Sequence, residues 1–380
     1  MPAPALVILG WARSPVAPVG GALRGLSPHA LGAPVVQALL QRSGVPAEAV
    51  DAVVAGNALG AGGNPARMTA LAAGLPDAVP AFSLDSQCCA GLDAVIMAAG
   101  LLAGGAAEIA VAGGVEAWSM APLRFHRPAS PGGTPVPYDR PAFAPDPARD
   151  PDLFMAAAAL AAQRNIGRAA QEGWAMQSHA RAMAHRPAMA AEIVPLAGLD
   201  HDPYGRPLAP ALLQRMPVIA GSDDTGLTRV AAAPRADGAA FLLLATETAA
   251  RRLSVRPRGL YRAAASVGGA PELPMLAALP ACRQALQRGG AGIADLWGVE
   301  LHEAFAVQAL CFMADLDLGP ERVNRGGGGL GRGHPIGASG AVSLVRLLAD
   351  MEREAPSGAL GLATIAGAGG IGSALLVERP

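Results

Sequence analysis

The chain has 380 residues with a formal net charge of -1, 52% hydrophobic residues and only 4% aromatics. That length fits two domains with room for an insertion, and its core must be built from Ala, Val, Leu and Ile. A near-neutral charge gives no footprint for nucleic acid or an anionic membrane. The basic charge is all arginine, so Schiff-base and P-loop lysine chemistry are both excluded.

The N-terminal "MPAPALVILGWARSP" has no basic start or small-residue cleavage site, and "ALVILGWA" reads as a first strand. Ser27 and Pro28 open a helix that ends at Gly44. "DAVVAGNAL" reads as a strand, Asn64 and Pro65 start a helix ending near Gly74, and "AFSLDS" reads as a buried strand. A helix from Cys88 to Ala103 and the strand "EIAVAGGVE" complete a βαβαβαβ run, which predicts a layered α/β domain. From about Trp118 to Arg235 the chain is proline-dotted, with helical runs over Leu153–Arg164 and Ala169–His185. This segment is expected to be an insertion over the surface of the first domain. "DGAAFLLLATETAARR" returns to strand and helix, and from about Arg258 the first pattern recurs. "CCAGLDAV" and "HPIGASGAV" share a layout, which predicts an internal duplication of one α/β unit. No apolar stretch reaches the length of a membrane span.

The four cysteines, Cys88, Cys89, Cys282 and Cys311, form no disulfide framework and no zinc spacing, so no metal site and a reducing, cytoplasmic location are expected. Cys88 is placed at a helix N-terminus, where free N–H groups and the helix dipole favour a thiolate; an ordinary buried cysteine is the alternative. His334, in "GGGGLGRGHPIGASG", is held between a glycine loop and a proline, and the helix-end field predicts a neutral imidazole. His302, in "VELHEAFAVQAL", lies where a strand turns into a helix and is either a site residue or a helix cap. "GAGGIGSA" fits GxGxxG, but too few residues follow it for a βαβ unit, so no dinucleotide site is expected.

Taken together, "GNALGAGGNPARMTALAAGLP", "CCAGLDAVIMAAGLLAGGAAEIAVAGGVEAWSM", "ELHEAFAVQAL" and "GRGHPIGASGAVSLVRLL" resemble the thiolase family along essentially the whole chain. The resemblance implies duplicated βαβαβαββ halves in a five-layered α-β-α-β-α fold with an inserted loop domain. The first half would cover residues 1–117 and 236–257, the loop domain 118–235, and the second half 258–380.

In that family the first-motif cysteine carries the acyl group as a thioester, here Cys88, with Ala90 replacing the usual serine. His334 of the GHP motif would take its proton, and His302 would help to bind the thioester oxygen. Backbone N–H groups of Cys88 and Ala368 would form the oxyanion hole. The family's second cysteine, which moves the proton on the α-carbon of acetyl-CoA, is replaced by Ala366.

The resemblance therefore implies an acyltransferase with an altered or weakened Claisen step. Decarboxylative condensation by a Cys-His-His set of ketosynthase type, thioester hydrolysis, and a non-catalytic thiolase-like subunit are the alternatives. A coenzyme A thioester is the expected substrate, with no permanently bound cofactor and an acyl-carrier-protein thioester as the alternative. Ala233, where a CoA-contacting serine is common, and Arg229 are candidate CoA-binding positions, among other inserted arginines (Arg124, Arg127, Arg164, Arg168, Arg181, Arg235). A homodimer or homotetramer is expected.

Overall fold

The computed structural model describes residues 5–60 and 62–380. Nine strands build its main sheet: β1 (Leu6–Arg13), β2 (Ala52–Gly56), β3 (Ala81–Leu84), β4 (Ile109–Ala117), β5 (Ala236–Thr246), β6 (Gly259–Gly268), β7 (Leu296–Leu301), β8 (Leu360–Gly367) and β9 (Ile371–Glu378). A short tenth strand, Ala17–Pro18, pairs with β5. The longer helices are α1 (Pro28–Ser43), α2 (Pro65–Ala72), α3 (Ala90–Ala103), α4 (Leu153–Gln163), α5 (Arg168–Met189), α6 (Ala278–Gly289), α7 (Ala306–Leu316) and α8 (Ser339–Glu354). Local chemistry sets their ends: Ser27 accepts from the Ala30 N–H at the start of α1, and Gly44 closes it at φ 69°.

The sheet runs β7-β8-β9-β6-β1-β5-β4-β2-β3. Each half repeats one plan. β4 lies parallel to β2 and antiparallel to β5, as β8 lies parallel to β7 and antiparallel to β9. A parallel bridge from Val323 to Val299 stands where β3 stands in the first half. The halves meet at β1 and β6 through only two residue pairs, Val7 with Leu260 and Ile8 with Gly259.

Side-chain alternation then separates the cores. Ala110, Ala112, Leu242 and Leu244 of the first half share one core with Ala363, Ile365 and Leu375 of the second, and α3 and α8 fill it. Opposite-facing Ile109, Val111, Phe241 and Leu243 pack on α1, while Leu362 and Leu376 pack with α6 and α7. This is a five-layered α-β-α-β-α arrangement.

Two expectations change. β3 is not a buried strand: it is the sheet edge, and Phe82 is 51% exposed, because only β2 pairs with it. The inserted helices α4 and α5 pack on the second half rather than the first. Their faces (Ala157, Leu160, Trp174, Ala175) join the core of Val307 and Phe312 on α7.

A buried charge network ties the insertion to both halves. Arg13 on β1 donates to Glu192 at 2.6 Å and, in bidentate fashion, to Asp202 at 2.8 and 2.9 Å. Glu192 also accepts from Arg346 on α8, which reaches Asp350 at 2.6 Å. Arg13 and Arg346 are both fully buried. Glu192→Ala would remove one buried, charge-assisted partner from each guanidinium while Arg13 keeps Asp202 and Arg346 keeps Asp350, so it is expected to destabilise the chain by about 1.5–3 kcal/mol. The check is a lower urea midpoint at unchanged m-value.

Candidate active site

The chain leaves β3 and turns sharply before α3, with Gln87 in the left-handed region at φ 55°. The turn Gln87–Cys89 is a 3-10 turn, so Cys88 precedes the α-helix rather than beginning it. The second half meets it through glycine. A Cβ on Gly56, Gly91 or Gly114 would lie 2.5, 2.8 or 2.1 Å from the Gly337 carbonyl oxygen. Only bare backbone in β2, α3 and β4 lets the 334–337 loop seat so deeply.

That seating brings His334 Nε2 to 3.2 Å from Cys88 Sγ. On the other side of the ring, Nδ1 is 2.7 Å from Ser339 Oγ. The Ser339 hydroxyl donates to the Pro335 carbonyl at 3.0 Å, so it accepts from Nδ1–H. This assigns the tautomer: the lone pair of Nε2 faces the thiol. Ser339→Ala removes about one hydrogen bond's worth of this preference, so acylation of Cys88 is expected to slow roughly tenfold, read as a single-turnover rate.

Burial sets the charge states. The Cys88 thiol is pushed up to about 11 by burial, against the opposing backbone N–H groups of Ala368 and of Cys88 itself. The His334 imidazole is pushed down to about 4, again by burial. The resting pair is therefore neutral thiol and neutral imidazole. The expected thiolate is not what the structure holds, because enclosure outweighs the helix-end field. His334 is neutral as expected but for a different reason, since α8 begins only at Ser339.

His302 follows β7, and its backbone N–H donates to Thr364 of β8 at 2.9 Å. α7 starts at Ala306, so His302 is not its cap. Its ring stands behind His334, with centroids 4.2 Å apart and planes at 35°. Its Nε2 is buried without a partner. Burial, then His334 and Arg332, hold it well below the ordinary histidine range.

Cys88, His334 and Ala368 line a cavity of about 210 Å³. Ala233, Phe154, Phe305 and Trp118 line it too, and Arg124, Arg140 and Arg235 lie among its polar wall residues. The structure does not bring Arg229 to it: that residue is exposed and absent from the wall. Arg164 is paired with Asp315, Arg168 with Glu172, and Arg181 with backbone carbonyls of Pro320 and Val323. Arg127 is exposed. Ala366, at the end of β8, packs in the same core as Ala232 and Phe305, both of which touch the cavity. Cys89 points the other way, its Sγ 3.7 Å from the carbonyls of Ile365 and Ile371.

Sequence reasoning missed several supporting residues. Glu303 is a buried clamp accepting from Trp174 at 2.6 Å, Asn324 at 3.0 Å and Ser178. Burial raises its pKa. Ser339 was visible as the serine of "GASG", and Glu116 as the one acid in a strand of small residues. Among the described residues, no group of three or more His, Cys, Asp or Glu is arranged to hold a metal ion, and no helix is long and apolar enough to cross a membrane.

Family models match nearly the whole chain: "Thiolase, N-terminal domain" over residues 6–248 and "Thiolase, C-terminal domain" over 255–379. An acetyl-CoA acetyltransferase of Rhizobium meliloti is 37% identical, with 99% of each chain covered. The crystal structure of the Bacillus anthracis acetyl-CoA acetyltransferase superposes with a TM-score of 0.91 at 30% identity, covering 100% of both chains. The Acat5 thiolase from Ascaris suum, solved in complex with coenzyme A, gives 0.91 at 29% identity, covering 99% of this chain and 100% of that one.

Proposed function

The chain belongs to the thiolase family and is an acyltransferase, and from that premise we propose that it takes an acyl group from an acyl-CoA thioester onto Cys88 and has a weakened Claisen step. The observation that carries this reading is the 3.2 Å contact between Cys88 Sγ and the unprotonated Nε2 of His334, at the wall of the cavity.

The first step follows from the neutral pair. The thiol proton moves to Nε2 as sulfur attacks the thioester carbonyl. The oxyanion that forms is met by the N–H groups of Cys88 and Ala368, which already point at the sulfur. The bond to the leaving sulfur then breaks, and the CoA thiolate takes the proton back from Nε2. Holding both groups uncharged costs nothing at rest, and charge appears only where donors await it.

The second step divides acceptors by what they ask of the site. A thiol acceptor needs only His334. A carbon acceptor must lose a proton from its α-carbon, and the methyl of Ala366 cannot receive one. A decarboxylating acceptor avoids that need, because loss of CO2 leaves the carbanion. The contact between His302 and His334, behind the nucleophile, favours this second reading. A carrier-protein thioester in place of CoA, and water as acceptor, are further outcomes.

The family supports an assembly of this chain with itself, a homodimer or a dimer of dimers, and the exposed edge strand β3 suits such pairing. All four cysteines are free thiols, which supports a cytoplasmic location.

The test is intact-protein mass spectrometry after mixing with acetyl-CoA and longer acyl-CoAs. An adduct mapped to the Cys88 peptide is expected. No adduct with any acyl-CoA, but one with an acyl-carrier-protein thioester, would replace the donor. No adduct with either would leave a non-catalytic subunit.

A further inference from the structure

We propose that Glu116 is a positioning residue for the Cys88–His334 pair, its carboxylate pinning together the two loops that frame the cavity. The proposal rests on the acyl-Cys88 reading above and extends it to the groups that hold the pair in place.

Glu116 lies near the end of β4, in a strand buried along its whole length, and is itself 1% exposed. Its Oε1 accepts from Asn57 Nδ2 at 2.8 Å. Its Oε2 accepts from the Ala58 N–H at 2.9 Å and from the Gly337 N–H at 2.9 Å. Asn57 and Ala58 begin the loop after β2, and Ala58 and Leu59 form part of the cavity wall. Gly337 ends the loop that carries His334 and Ile336, which form another part. One carboxylate thus joins segments from both halves of the fold, at the point where Gly337 is also buried among Gly56, Gly91 and Gly114.

Every partner is a donor. Three donors on two oxygens favour the ionised carboxylate, because a proton on either oxygen spends acceptor capacity and sets a donor against a donor. Among the described residues, no arginine or histidine pairs with Glu116. The titratable groups that face Glu116 are Asp85, at the end of β3, and Cys88. Asp85 adds repulsion. Burial, only partly countered by the backbone N–H groups, raises Glu116 to about 7. The loop clamp therefore loosens as pH falls through neutrality. His334, at about 4, and Cys88, at about 11, do not change state there. An inflection near pH 7 in the acylation rate thus has a single assignment among these three groups. The other buried acids to control for are Glu300, raised to about 8 and 4.0 Å from Arg332, and Glu303, also raised by burial.

The experiment measures single-turnover acetylation of Cys88 by acetyl-CoA and, in parallel, its alkylation by iodoacetamide, between about pH 5.5 and about pH 8.5. The wild-type rate is expected to rise with pH around a midpoint near 7. Glu116→Gln is expected to be roughly tenfold slower at the high-pH end, the worth of about one hydrogen bond, and flat across the range. Glu116→Asp keeps the charge and should keep an inflection at an intermediate rate. Glu300→Gln should leave the midpoint in place.

A Glu116→Gln enzyme with the wild-type rate and midpoint overturns the proposal. So does a midpoint that moves with Glu300→Gln. If Glu116→Gln does not fold, a wild-type profile without an inflection overturns it alone. Absence of any acetyl adduct together with an intact alkylation profile refutes the acyl-transfer reading and leaves the clamp standing.

Discussion

His334→Ala slows acylation of Cys88 by about a thousandfold at pH 8, and makes the rate climb about tenfold per pH unit up to about pH 10, where the wild-type rate is flat. Burial sets this outcome. With the thiol at about 11 and the imidazole at about 4, the pair is uncharged at rest, and the proton must leave as sulfur attacks. Remove the base, and only the fraction already ionised reacts: about one molecule in a thousand at pH 8 for a thiol near 11. That fraction grows tenfold with each pH unit, which sets the slope. Cys88→Ala gives the zero line, with no adduct at any pH. The measurement is the rate of adduct formation by quenched-flow mass spectrometry. A variant with a flat profile would mean that Cys88 rests as a thiolate, held by the helix-end field after all.

The difference between those two outcomes is also the difference between what the residues foretell and what the fold adds. The positions of Cys88 and His334 were readable because each stands beside small-residue turns at the start of a helical pattern, and the strand–helix alternation followed from period-2 and period-3.6 patterning. Their charge states were not readable. Local sequence offers a helix terminus, whereas burial comes from the layers of both halves that close around Cys88. Glu116 was visible as a residue, but its role was hidden for the same reason. Its decisive partner is a backbone N–H 221 residues away, and backbone donors carry no side-chain signature. Arg235, not Arg229, reaches the cavity because it stands directly before the strand that begins at Ala236, whereas Arg229 faces outward from a turn whose other residues, Val230 and Ala231, are buried. While Val194, Leu196 and Leu199 of the insertion do lie on the first half, helices α4 and α5 pack on the second, against expectation, because alanine-rich faces such as those of α4 fit many surfaces equally well. The surface that takes them, on α7, is defined only once the second half has folded.

Ala366→Cys is expected to raise the exchange of acetyl-CoA α-hydrogens with solvent deuterium, and with it condensation, by about 10²-fold or more, the ordinary worth of a positioned base. The site is prepared for it. Ala366 is the penultimate residue of β8, 6% exposed, in the core that also holds Ala232 and Phe305, and Ala368 follows two residues later beside the Cys88 sulfur. One added sulfur atom is a small intrusion at a position that is not fully enclosed. His302, just past the end of the neighbouring strand β7, is bonded through its backbone to Thr364 of β8 and has an unpartnered Nε2. Acylation at Cys88 should not change, since Ala366 takes no part in it, so the burst and the turnover separate cleanly. A wild-type enzyme that exchanges α-hydrogens as fast as the variant would show that another group removes the proton, and the weakened Claisen step would fall. The same pair of proteins decides between the acceptors. A malonyl thioester supplies its carbanion by losing CO2 and needs no base, so its condensation should be indifferent to Ala366→Cys. A wild-type preference for the malonyl over the acetyl acceptor that the substitution erases would identify the missing thiol as what turns this thiolase site toward decarboxylating substrates.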